Sequence, residues 1–226
     1  PDQSAWTPFL AGVYPGREGT GRGEWLGGLE PDLLGEYLCA MVLKREDAAW
    51  IERVFAGADG GGVFSGLVVL GRLSLNPSLE HEASGWIGRV LDQDVEGRAL
   101  PALAAAMSLR VQTAHAPIGM LLAKRLERLP DGGPLKFAQT VEAATEETSV
   151  SLRELRAWAA QRRLTSHGGG SSQAARAARA ATLGTLSNRL SDLGKREDAL
   201  AAARAAEKLF RELAGEDSEA FEPYLA

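Results

Sequence analysis

One cysteine, Cys39, stands among 226 residues, so no disulfide can close within the chain and a stapled secreted scaffold is excluded. Aromatic residues make up only 6%, and the β-branched residues that favour strands are sparse as well. There is no basic excess either. Lysine and arginine total 25 against 30 aspartates and glutamates, a formal charge of −5, which argues against a nucleic-acid surface or an anionic-membrane surface. No apolar run approaches the roughly 18 residues of a transmembrane helix, and no signal-peptide pattern precedes the first charges. These absences lead to the expectation of a cytoplasmic protein. The sequence opens at Pro1 rather than methionine, so a piece of a longer chain is expected.

What is present is alanine and leucine, which carry most of the 45% apolar content and rank among the best helix formers. The expected fold class is all-α. Residues 1–28, rich in glycine and proline, read as an irregular lead-in segment. Helical spacing begins at Glu30-Pro31-Asp32 and continues through Tyr37, Leu38, Met41 and Val42. Further helices are expected around Trp50 to Phe55, Val63 to Leu73, Trp86 to Leu91, Pro101 to Val111 and Pro117 to Leu129. Two more follow, through Phe137 and Val141 and from Val150 to Arg162-Arg163. Short loops between helices of this length force neighbours to run antiparallel, so residues 29–165 read as a stack of helical hairpins. Residues 166–173 have the Gly/Ser composition of a linker, and residues 174–226 form a separate helical region interrupted once, at Asp192-Leu193-Gly194-Lys195.

That last region contains Leu183-Gly184-Thr185-Leu186-Ser187-Asn188-Arg189-Leu190, then Gly194 as a turn residue, then Ala199 and Ala206 as small contact positions. The pattern resembles a tetratricopeptide repeat, in which two helices close tightly around small residues. It departs from the usual pattern at Leu183, where tryptophan is common, and at Ala203, where a bulky aromatic is. Matching Ala226 to Ala180 implies a period of 46 residues, longer than the about 34 of the standard repeat. This longer form, together with Tyr14-Pro15 through Trp25 and with Leu29-Glu30-Pro31-Asp32-Leu33-Leu34-Gly35-Glu36-Tyr37-Leu38, is similar to the region that follows the NTPase module in bacterial STAND-class signalling proteins. The resemblance implies an α-solenoid-like stack ending in a repeat that binds a protein or peptide on its concave side. It also implies that the first helix of the pair lines the groove, with Gly184, Asn188, Ser191 and Asp192 off the leucine stripe. A single helix pair leaves Leu200, Leu209, Phe210, Phe221 and Tyr224 in need of cover, from upstream helices, downstream repeats or a second copy.

The glycine-rich stretches Gly16–Gly23 and Gly57–Gly62 lack the lysine that a phosphate-binding loop requires, and both read as plain loops. His167-Gly168-Gly169-Gly170 matches a lipase oxyanion phrase, but no Gly-x-Ser-x-Gly elbow accompanies it. His81, His115 and His167 are too scattered for a zinc site. Glu142, Glu146 and Glu147 read as a solvated helix face, Arg162 and Arg163 as helix-end cations or a contact for an acidic partner. Cys39 reads as a small buried hydrophobe. No catalytic, cofactor or metal residue is therefore assigned. The leading function is a protein-interaction or regulatory module. The alternatives are an enzyme with a pocket between helices in residues 31–165, or a repeat adaptor with no NTPase attached.

Overall fold

The computed structural model describes residues 33–46, 48–109, 117–144, 150–168 and 170–224. Eleven α-helices and no strand occur among the described residues, so the all-α expectation holds. The chain divides into two compact units, Pro1–Asp47 and Ala48–Ala226. In the first unit the described element is α1 (Leu33–Arg45), with Glu36 in its first turn and Lys44 and Arg45 in its last. Both signs complement the helix dipole. The expected start at Pro31 lies outside the described residues.

The second unit contains α2 (Ala48–Phe55), α3 (Gly60–Leu73), α4 (Glu80–Asp92), α5 (Ala99–Ser108) and α6 (Pro117–Leu126). It continues with α7 (Leu135–Ala144), α8 (Arg153–Ser166), α9 (Gln173–Asp192), α10 (Arg196–Glu216) and the short α11 (Ser218–Phe221). Helix α3 packs on α4 and α5, α6 on α4, α5 and α8, α7 on α8, α8 on α9, and α9 on α10. Leu67, Ile87, Leu91, Ile118, Leu122, Leu126 and Leu155 fill the middle of this stack and are fully buried. Each such side chain contributes about 1.5–3 kcal/mol by leaving water. Helix α8 is buried at six successive positions, Leu155 to Ala160. Neighbours cover this stretch on several sides, with α6 and α7 and also α9 in contact, and the polar positions of the helix lie on either side of it, at Arg153 and from Gln161 onward.

Local chemistry explains where helices begin. Gly60–Gly62 form the first turn of α3 rather than a loop, because Asp59 caps it by accepting from the Gly62 N–H at 2.8 Å. An N-cap of this kind satisfies one of the unpaired first-turn donors and offsets the poor propensity of glycine. Helix α5 begins at Ala99, two residues before Pro101. The first-turn N–H groups have no intrahelical partner, so proline is tolerated there. Arg98, just ahead of α5, is buried, and its guanidinium donates to the carbonyls of Val90 and Phe55. One side chain thus satisfies the last turn of α4 and the end of α2 together.

Between α6 and α7 the chain turns through Asp131, Gly132 and Gly133, all at positive φ (56°, 74° and 89°). Asp131 is the single non-glycine in that region of backbone space among the described residues. Helix α8 holds the turn in place. The indole N–H of Trp158 donates to the Gly132 carbonyl at 3.0 Å, and Arg162 Nε donates to that of Gly133 at 2.5 Å. Residues 167–172 join α8 to α9. Ser172 caps α9 through the Ala175 N–H at 3.2 Å, and His167 bonds Thr182 of α9 at 3.0 Å. The Thr182 hydroxyl also lies 2.9 Å from the Ala178 carbonyl.

Candidate functional site

The α9–α10 hairpin follows from three local features. Gly194 takes φ 72°, which lets the Lys195 N–H reach Leu190 O at 2.9 Å and the Gly194 N–H reach Ser191 O at 2.8 Å. This paired closure is the Schellman ending of a helix, and it reverses the chain within three residues. Ser187 then donates across the hairpin to the Ala199 carbonyl at 2.9 Å, a contact open only to a small hydroxyl side chain. Finally Arg176, near the start of α9, grips Glu216 at the end of α10 with two bonds of 2.8 and 2.6 Å. The Arg176 bond is the main cause that holds the Glu216 carboxyl below its ordinary pKa.

Within the hairpin Leu183, Ala202 and Ala206 form a buried cluster, with Leu164 of α8, Leu190 and Leu209 packed around it. The polar side of α9 is left outside that cluster. Asn188, Ser191 and Asp192 are exposed and Gly184 is half-buried. A Cβ built on Gly184 would meet nothing within 4 Å. These four positions lie at offsets of four, seven and eight along one helix, hence on one face. Asp192 pairs loosely with Arg189 at 3.8 Å. The buried Arg156 of α8 senses both, and its pKa is lowered first by burial, then by Arg189, while Asp192 acts in the opposite direction. One end of the face therefore adjoins α8.

Other candidate groups are engaged elsewhere. Arg163 pairs with Glu142 of α7, and Arg162 also donates to Thr165 Oγ1 at 3.3 Å. His81 is exposed on α4. Burial, then the neighbouring Glu36 carboxylate, raise the Cys39 thiol above its ordinary pKa, so it is held protonated and poorly nucleophilic. His115, Glu146, Glu147 and Gly16–Gly23 lie outside the described residues. No group of three or more histidine, cysteine, aspartate or glutamate side chains among the described residues could hold a metal ion. No described helix is long and apolar enough to cross a membrane.

Two clefts open on the second unit. The first, about 530 Å³, lies between the Asp131–Gly132 turn and α8 and is lined by Glu127, Trp158, Gln161, Arg162 and Thr165. The second, about 440 Å³, lies among Asp59, Gly60, Gln93, Asp94 and Arg98. Neither lining contains a serine, cysteine, histidine or lysine. In the second cleft both carboxylates cap backbone, Asp59 at the Gly62 N–H and Asp94 at the Gly97 N–H (2.9 Å). Carboxylates bound in this way satisfy first-turn donors and stabilise their turns. No protein-family model, curated protein or solved structure matches the chain.

Proposed function

We propose that this chain is a helical protein-interaction module of a bacterial STAND-class signalling protein, working in the cytoplasm, with the α9–α10 hairpin as a tetratricopeptide-like unit. The observation that supports the reading is the exposed polar face of α9 at Asn188, Ser191 and Asp192, beside the open Gly184 position. It lies on the helix whose other side makes the hairpin's core. A peptide laid along it in extended form would find an amide at Asn188 that both donates and accepts, and a carboxylate acceptor at Asp192. In this reading the chain binds and positions, and catalysis belongs to another part of the parent protein.

Photo-crosslinking tests the assignment. A photoactivatable residue at Asn188 should yield a discrete protein adduct in bacterial extract, whereas one at the exposed Arg204 of α10 should not. The adduct should fade in the Asp192→Ala background while helicity stays unchanged. Equal labelling from both positions would defeat the site. Turnover of a small molecule that survives Asn188→Ala with Asp192→Ala would defeat the whole reading and turn attention to the helical clefts.

A further inference from the structure

We draw no further inference here: the strongest candidate, the cleft between the Asp131–Gly132 turn and α8, has its guanidinium and indole engaged with the turn's own carbonyls and its two carboxylates exposed at the rim, and nothing in the structure points to a ligand for it.

Discussion

Helices α3 to α8 and the α9–α10 hairpin bury apolar surface in opposite ways. The former are 10 to 14 residues long, and most of their contact surfaces are closed with large aliphatics such as Leu67, Ile87, Leu122 and Leu126. The hairpin helices are 20 and 21 residues long, and α10 meets α9 mainly through alanine, with Ala199, Ala202 and Ala206 buried against Leu183 and Leu186 of α9 and with Leu213 buried near its end. A core of leucines draws stability from side-chain volume. A core of alanines draws it from close backbone approach and from helix propensity, summed over many residues. The first design tolerates little loss of volume.

The sharpest test of this contrast is a truncation. Leu122→Ala, at a site with no exposed surface, should cost about 2–5 kcal/mol, read as a lower urea midpoint at unchanged m-value. Leu190→Ala at the half-buried edge of the hairpin cluster should cost clearly less. Equal losses would erase the distinction.

Glycine replacement should divide one position in each region by sign, according to what surrounds it. A Cβ on Gly119 would fall 2.1 Å from the Ser151 carbonyl oxygen. That neighbour is backbone and cannot swing aside, so Gly119→Ala should destabilise by about 1–3 kcal/mol. Gly184→Ala, with open space around it, should stabilise by about 0.5–1 kcal/mol through better helix propensity. Thermal unfolding of the two variants measures both, and a shared sign would sink the comparison.

Within the hairpin, the turn should matter more than its surroundings. Gly194→Ala meets no neighbour within 4 Å yet must hold φ near 72°. The expected loss is about 1 kcal/mol from backbone strain alone, with Gly194→Asn losing less in the same urea titration.

The smallest effect belongs to the exposed clasp at the hairpin's open end. The folded pKa of Glu216 lies below its unfolded value, so its contribution is present above the unfolded pKa and is lost as pH falls through the folded one. Glu216→Gln should therefore lower the melting temperature slightly at neutral pH. In acid below the folded pKa the variant and the parent should converge. A difference that persisted there would mean that the clasp acts through packing and not charge.

Much of this architecture is legible in the sequence, because it rests on local signals. Pro117 opens α6, and α10 begins at Arg196, one residue before Glu197. Gly194 marks the hairpin turn for the same reason, since only a permissive residue suits that φ. Composition misplaces a boundary where a cap outweighs it, as at Asp59 ahead of Gly60–Gly62. Helix α8 likewise runs past Arg162-Arg163 to Ser166, where Ser166 Oγ bonds Arg163 O at 2.7 Å. Contacts distant in sequence were invisible altogether. Nothing in the letters around Arg98 points to Phe55, and nothing around Arg176 points to Glu216. For the candidate face, the repeat resemblance picks out α9, and helical spacing then groups Gly184, Asn188, Ser191 and Asp192 on it. The neighbouring Arg156 had no such signal, because it comes from another helix.

The Arg98 clamp has a consequence for the order in which the chain acquires its shape. Its bond to Phe55 spans 43 residues, whereas Ser187 and Ala199 are 12 apart. Closing the longer loop carries about 1 kcal/mol more entropy than the shorter one. The hairpin contact is therefore the cheaper to make in a collapsing chain. The guanidinium can seat only once the ends of α2 and α4 have both arrived, so this bond follows the docking of those two helices.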